Sequence, residues 1–548
     1  MSIFFLNIVF TNLFYLVLGK FLITKFFNFD LKTPVDCVIM GIIGSSFAAL
    51  LINFFLPLNI WVNSSFFILL IIIFFIFKLY LKKNELFFLL ISSFLVFLLI
   101  IFDNEYRPDA GLYHIPYIQI LNENKIIIGL SNLHSRFGHI SILQYLSAFN
   151  FDFLRSKNGI LIPSASLVIF LYIYFFNDIL KLIKKKELFS LGKLFSILII
   201  IYISYKINRY GEFGNDAPAH IFLFYVISKF LYLENYATKQ IWKFYIYSVF
   251  CFLNKIFFIL IFIIPIFMLF KNSNSIKKLI LSIPSFLIFL WLVKNILISG
   301  CMIYPMKITC FESLPWVNIN TVEKVQIEGE AWAKAWPQNQ DTNLNMEDFS
   351  KNFNWIEAWS SNHLLFILNI IIPYLIFVLI FMTLSIQKIS FRKFFDYFKN
   401  EKIQILTFIS ILGVLSFFMK FPIYRYGYSY LILLLFILFS VIFNNLNLKK
   451  LIKYSKVIFV LCIVIFSSKQ ILRIYNYNEI RNYIPNHIFI KKEKYENKYK
   501  KINLNNNFKY YLSKDECFYG LAPCTNSIYW QKNLSSKNKW GYNILFTN

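Results

Sequence analysis

Between two long apolar runs, residues 102–149 read FDNEYRPDAGLYHIPYIQILNENKIIIGLSNLHSRFGHISILQYLSAF. This stretch gathers Asp103, Glu105, Arg107, Asp109, His114, Glu123, His134, Arg136 and His139 directly behind an apolar helix. Asp109 is the sharpest candidate for chemistry. A carboxylate just past a helix end can act as a general base or ligate a divalent cation. If a short helix starts at Asp109, that residue shares a face with Tyr113 and with Pro116/Tyr117. A simple helix N-cap is the other role open to it. A second polar stretch, residues 208–220, reads NRYGEFGNDAPAH and carries Arg209, Glu212, Asn215, Asp216 and His220. Gly211 and Gly214 permit close backbone approach there. Two aspartates from separate loops, with Arg and His beside them, could hold a metal or a diphosphate ester. The plainer alternative for 208–220 is a capped helix connection.

The cations that would complement such a site are Lys255, in LNKIFF, and Arg425, in FPIYRYGYSY. An ionisable side chain beside hydrocarbon is placed either for function or for snorkelling to the interface. Arg holds phosphate through a two-pronged fork, whereas Lys acts as a point charge. His114, His134, His139 and His220 all fall in the two polar stretches. His134 and His139 are five apart, a poor match to the H-x3-H spacing of zinc hydrolases. No G-x-S-x-G elbow, Walker A loop or G-x-G-x-x-G occurs in a fitting context, which argues against ATP-driven and nicotinamide chemistry.

The elements that must position these residues are helices in a bilayer. The chain has 548 residues, 58% of them hydrophobic, with mean hydropathy +0.60. Many runs reach the roughly 20 apolar residues needed to cross a hydrocarbon core. Without water to satisfy the backbone, such runs must be helical. Spans are expected at 2–19, 35–56, 60–77, 85–102, 159–176, 189–206, 219–234, 242–255, 257–270, 279–297, 363–384, 403–419, 428–444 and 456–471. The first reads as an uncleaved helix, because Met1–Gly19 has neither a basic start nor a small-residue cleavage site. Near Lys255 the chain forms either two short helices or one broken span.

Net charge is +27. The excess Lys flanks apolar spans and no stretch carries base-stacking aromatics in a basic groove, so nucleic acid is not the expected partner. Basic clusters at Lys20/Lys25/Lys32, Lys78/Lys82/Lys83, Lys181/Lys184/Lys185/Lys186, Lys239/Lys243, Lys271/Lys277/Lys278, Lys388/Arg392/Lys393 and Lys449/Lys450/Lys453 fall on one side of the expected topology. That side is cytoplasmic by the positive-inside rule, and the alternation favours splitting the chain at Lys255. Loops 103–158, 207–218 and 299–362 and the tail from 473 are then exported. Cys301/Cys310 and Cys517/Cys524 land on that oxidising side, where disulfides persist, while Cys37, Cys251 and Cys462 lie in spans. The 299–362 loop holds half of the ten tryptophans and is net acidic. After Asn345, Met346, Phe349, Phe353, Ile356 and Trp359 recur at helical spacing, predicting an amphipathic helix that is either a packed cover or a lid. The tail 473–548 is polar, shows no clear periodicity and reads as a small appendage clipped by Cys517–Cys524. No internal repeat is evident.

The layout DNEYRPDAGLYHIP after a span, a second acidic loop at Asp216, and LNKIFF at a later helix pair resembles the GT-C superfamily. These are integral membrane glycosyltransferases that use polyprenyl-phosphate sugars, among them protein O-mannosyltransferases and aminoarabinose transferases. The resemblance runs over about residues 85–445 and rests on layout more than on motifs. It departs in one respect: the spans at 2–19, 35–56 and 60–77 precede the one leading to the acidic loop, where the family has a single span. It implies an all-α polytopic protein of about 12–14 transmembrane helices, with 1–84 as extra N-terminal helices, 85–472 as the core and 473–548 as an exported segment. It further implies Asp109 and Asp216 as catalytic residues that could share Mg or Mn. Lys255, Arg425, His114, Tyr113, Arg209, His220 and Glu105 would bind a polyprenyl-phosphate-linked sugar or its glycan, lipid or protein acceptor. The expected setting is the periplasmic face of a bacterial inner membrane. Two alternatives stand beside it: an O-antigen ligase- or polymerase-like enzyme leaning on Arg136 and His134, and a transporter or flippase of lipid-linked glycans.

Overall fold

The computed structural model describes residues 2–29, 33–101, 109–150, 157–184, 189–206, 214, 216–272, 282–338, 344–386, 399–443, 446–475, 499–504, 508–518, 520–526 and 534–547. Every apolar run expected to span is a helix. In chain order these are α1 (Ser2–Phe21), α2 (Pro34–Ile52), α3 (Ile60–Ile76) and α4 (Lys83–Ile100), then the short α5 (Ile115–Glu123) and α6 (Ile142–Phe149). Next come α7 (Ile162–Ile183), α8 (Leu191–Lys206), α9 (Asp216–Leu231), α10 (Thr238–Asn254), α11 (Ile263–Lys271) and α12 (Ile283–Ser299). The loop after them carries α13 (Ile319–Ala333), α14 (Met346–Ser350) and α15 (Ile356–Trp359). The bundle closes with α16 (Leu365–Ser385), α17 (Glu401–Lys420), α18 (Tyr424–Ser440) and α19 (Leu448–Tyr475). Among the described residues, seven helices are long and apolar enough to cross a membrane: Ile3–Phe26, Pro34–Ile52, Lys83–Ile100, Gly159–Ile183, Ile356–Ser385, Glu401–Lys420 and Leu448–Tyr475. With several such helices, the chain is a membrane protein.

Local sequence explains the helix starts. Thr33 accepts the Asp36 N–H ahead of Pro34, and Asn59 accepts from Trp61 and Val62, so both helices open on a side-chain cap. Gly19 and Gly41 let α1 and α2 cross almost backbone to backbone. A Cβ at Gly41 would fall 1.9 Å from the Tyr15 carbonyl oxygen. Inside the bundle, Asn12 donates to Ser93 at 3.0 Å and accepts from Ser166 at 2.7 Å, tying α1, α4 and α7 together. Outward, α3, α16 and α17 present apolar residues such as Phe75, Leu365 and Phe408, the surface that lipid covers.

The segment at Lys255 resolves into two elements. α10 ends at Asn254, Lys255 is extended (φ −150°, ψ 112°), and a 3₁₀ segment Ile256–Phe262 leads into α11. The two run antiparallel, because Asn272 beyond α11 donates to the Tyr236 carbonyl ahead of α10 at 3.1 Å. Lys271–Glu401 at 2.5 Å and Lys402 on the Leu231 carbonyl at 3.1 Å gather at the same end. Asp216, Lys255 and Arg425 therefore meet at the other.

Two expectations are revised. The run from Met346 to Trp359 is not one amphipathic helix. Asn345 does cap it, accepting the Asp348 N–H at 2.9 Å, but α14 stops at Ser350. Asn352 and Phe353 then take positive φ of 49° and 61°, and α15 begins afresh. Phe349, Trp355 and Trp359 face inward and are buried. Trp359 Nε1 donates to the Pro422 carbonyl at 2.7 Å, so this loop packs on the bundle beside the Arg425 turn. The tail, for which the sequence shows no periodicity, carries β1 (Tyr499–Asn503), β2 (Lys509–Ser513), β3 (Cys524–Thr525), β4 (Leu534–Lys539) and β5 (Tyr542–Thr547). They form a three-stranded sheet in the order β1-β2-β3 and a β4–β5 hairpin. All are six residues or shorter, too brief for an alternating pattern to stand out.

Candidate functional site

Four charged residues from distant parts of the chain form one connected group. Asp109 Oδ2 accepts from Arg425 Nη1 at 3.1 Å, and Asp216 Oδ1 accepts from Lys255 Nζ at 2.6 Å. Lys255 Nζ also donates to the Arg425 carbonyl at 2.8 Å, which joins the two ion pairs. Tyr426 completes the group, with Lys255 Nζ 4.6 Å and Arg425 Cζ 5.2 Å from its ring centre. The side chains of Asp109, Asp216 and Arg425 are 43%, 39% and 48% exposed, while Lys255 is 10% exposed. The carboxylates are thus open to a visitor, and the buried lysine holds Asp216 from beneath.

Each residue arrives through a helix end. Asp109 has helical φ and ψ and leads a π-helical turn, Ala110–His114, that runs into α5. Its side chain makes no cap hydrogen bond, so of its two possible roles it takes the one facing Arg425. Asp216 opens α9, where the helix dipole favours a negative charge. Lys255 owes its place to the break after α10, and Arg425 stands in the first turn of α18. His220 fixes that turn: its Nε2 lies 2.8 Å from the Arg425 carbonyl and its Nδ1 2.8 Å from Ser429 Oγ, with the ring stacked 3.8 Å from Tyr428. The ring is fully buried and both nitrogens are engaged, so His220 positions Arg425 from behind.

The electrostatics follow from this packing. The surrounding protein pushes the Asp216 carboxyl up by desolvation, and Lys255 and Arg425 more than reverse the push, leaving it at about 2. Burial lowers Lys255, with Asp216 opposing the shift. His114, beside Tyr113 with ring centres 4.4 Å apart, lies 3.2 Å from Gln144 Nε2 through Nδ1. Burial drives its imidazole down to about 4 against the pull of Asp109 and Asp216, so it is neutral near pH 7. The tail covers this turn. The Gly111 carbonyl accepts from both Cys517 and Phe518 N–H at 3.0 Å, and the Phe518 ring occupies the space where a Gly111 Cβ would stand. Cys517 is bonded to Cys524, and Cys301 to Cys310.

Glu105, Arg209, Glu212 and Asn215, with Asp103 and Arg107, lie outside the described residues. Among the described residues no group of three or more His, Cys, Asp or Glu is placed to hold a metal ion. Asp109 and Asp216 each accept from one cation and are partly exposed, so both keep acceptor capacity of the kind Mg or Mn would need. Sequence reasoning missed Tyr426, Gln144, Ser429 and the Cys517–Phe518 turn. The alternating tyrosines of YRYGYSY were a visible signal for the first; the others are set by tertiary contact alone. In comparisons with known proteins, no curated protein and no solved structure matches the chain. A family model described as a domain of unknown function, DUF8201, matches residues 1–432. Its span takes in Asp109, Asp216, Lys255 and Arg425 and ends before the covering tail, and the chain belongs to the DUF8201 family.

Proposed function

We propose that this chain is a GT-C-like membrane glycosyltransferase with about 12–14 transmembrane helices, moving a sugar from a polyprenyl-phosphate donor to an envelope glycan, lipid or protein acceptor. Its active loops face the periplasm from a bacterial inner membrane. The observation that carries this reading is the linked pair of ion pairs, Asp109–Arg425 and Asp216–Lys255, half open at the helix ends.

In the proposed reaction the acceptor oxygen forms a bond to the anomeric carbon as the bond from that carbon to the phosphate oxygen breaks. Arg425 is the natural receiver of the leaving phosphate, because its fork can exchange a carboxylate for a phosphate. The exchange frees Asp109 to take the acceptor's proton as general base. Lys255 stays on Asp216 and on the Arg425 carbonyl, keeping the second carboxylate ionised to orient the acceptor. A ligase- or polymerase-like reaction would lean on Arg136 and His134, but His134 Nδ1 already accepts the Arg136 backbone N–H at 3.1 Å and its ring is buried. A transporter would concentrate charge near the bilayer midplane, whereas this cluster sits at helix ends.

The test is transfer of labelled sugar from polyprenyl phosphate to the envelope fraction in membranes carrying Asp109→Asn or Asp216→Asn. Loss of transfer by a factor on the order of 10²–10⁴ is expected for removal of a general base. Unchanged transfer in both variants sinks the assignment.

A further inference from the structure

A third cation stands near the cluster and is left unmatched. Arg136 lies in the 3₁₀ turn Ser135–Gly138, with its guanidinium carbon 6.0 Å from the ring centre of Tyr113, the neighbour of His114. Among the described residues its side chain has no ion pair and no hydrogen bond, in contrast to Arg425 and Lys255, which are both neutralised. Its charge is felt by His134, His139 and Tyr304. Two of these carry an orphaned polar atom. Tyr304 is 4% exposed, and its hydroxyl has no hydrogen-bond partner among the described residues; the same is true of the buried His139 Nε2. The two rings meet edge to face at 5.2 Å. Gly138 makes room for them, since a Cβ there would fall 2.5 Å from the Tyr304 ring. The carboxylate whose charge reaches Tyr304, Glu328, has Lys324 at 3.8 Å.

An unpaired guanidinium three residues before an orphaned imidazole nitrogen, whose ring packs on a tyrosine with an orphaned hydroxyl, is a local set of groups that can donate. Burying such groups unsatisfied costs about 1–3 kcal/mol each, and a single tetrahedral oxyanion answers all of them. We infer that Arg136, Tyr304 and His139 form a phosphate-binding site next to the Asp109 turn. The fork of Arg136 takes two oxygens, and the hydroxyl and imidazole each donate to another lone pair. Arg136 stands against Tyr113 while Arg425 is held by Asp109, so the phosphate bound here is taken as distinct from the leaving group received by Arg425. The site rests on the transferase reading only for the carrier of that phosphate, which is either a lipid-linked substrate or a free phosphate ester.

The test uses the full chain in maltoside micelles, which contain no phosphate, and follows its melting temperature against inorganic phosphate and against farnesyl phosphate. The wild type should melt higher as either probe is added. Arg136→Ala and Tyr304→Phe should raise the half-saturating concentration at least about tenfold, a loss of about 1.4 kcal/mol, whereas Lys351→Ala, an exposed lysine elsewhere, should leave it unchanged. Arg136→Lys keeps the charge without the fork and serves if the alanine variant does not fold. Half-saturation at a much lower concentration of farnesyl phosphate than of inorganic phosphate assigns the site to a lipid-linked ligand; equal values assign it to a free phosphate ester. Absence of any phosphate-dependent shift in folded wild type overturns the site, as does unchanged half-saturation in both the Arg136 and Tyr304 variants. Because no turnover is read, either result is separate from the fate of Asp109→Asn and Asp216→Asn.

Discussion

Two of the carboxylate–cation clusters among the described residues, one toward each end of the bundle, stand in contrast. At one end Asp178 is saturated: Lys193 Nζ lies 3.4 Å from Oδ1, while Ser196 and Tyr232 donate to Oδ2 at 2.8 and 3.0 Å. Its side chain is 8% exposed and that of Lys193 1%. At the other end Asp109 and Asp216 each accept from one cation and remain about two-fifths exposed. The chemical ingredients are the same. What differs is spare capacity: buried Asp178 takes three donors from its own protein, whereas Asp109 and Asp216 each take one from a cation and stay open to another molecule. A charge pair near hydrocarbon is therefore a poor guide to function until its remaining hydrogen-bonding capacity is counted.

That contrast can be broken from either side. The largest effect belongs to Asp109→Asn, expected to lower sugar transfer by a factor on the order of 10²–10⁴. Unfolding in micelles should show a stability change of only about 0–1 kcal/mol, as for an exposed ion pair. Lys193→Met should do the reverse. It strands a buried carboxylate and should destabilise the fold by about 3–5 kcal/mol, with transfer per folded molecule preserved. If it abolishes transfer in protein that still folds, the two clusters are not different in kind. A smaller effect is expected from Gly111→Ala, whose new methyl group meets the Phe518 ring at about 2.6 Å. Displacing the Asp109 turn should reduce transfer roughly tenfold or more, and a smaller partner at position 518, Phe518→Ala, should restore part of it.

The smallest effect concerns pH. Burial holds His114 and His134 at about 4 and His139 at about 3, below the ordinary value near 6.5. Between those limits the unfolded chain binds protons that the folded one refuses, so stability rises with pH there. It is complete above about 6.5 and is lost as pH falls through the folded values. Melting temperature should drop on acidification through that window, and His139→Gln should shallow the drop. A flat profile in the wild type would mean that these imidazoles are hydrated.

Much of the helical frame was legible in the sequence, because hydrocarbon-length runs leave the backbone one solution. The break at Lys255 could also be read, since the alternation of basic clusters requires it. Asp109, Asp216, Lys255 and Arg425 were each visible as ions out of place. Their pairing was not, because Asp109 and Arg425 lie 316 residues apart and nothing local encodes which cation meets which carboxylate. The interface helix after Asn345 was misread because its spacing is helical on paper, while positive φ at Asn352 and Phe353 divides it. For the tail, two-residue and five-residue strands left no pattern to find.

The tail's hairpin bears on how the protein is made. Asn132 Nδ2 reaches the Leu545 carbonyl at 3.1 Å across 413 residues, Leu545 N–H donates to the Ile128 carbonyl at 2.8 Å, and Ile128 N–H donates to the Asn543 carbonyl at 2.9 Å. Asn132, in the first polar loop, leaves the ribosome 413 residues ahead of Leu545. Until Cys517 and Phe518 follow, the Asp109 turn likewise lacks its cover. A ribosome that stops short of Cys517 delivers the helices of the bundle with the Asp109 turn still uncovered, so the cluster is made well before the segment that seals it.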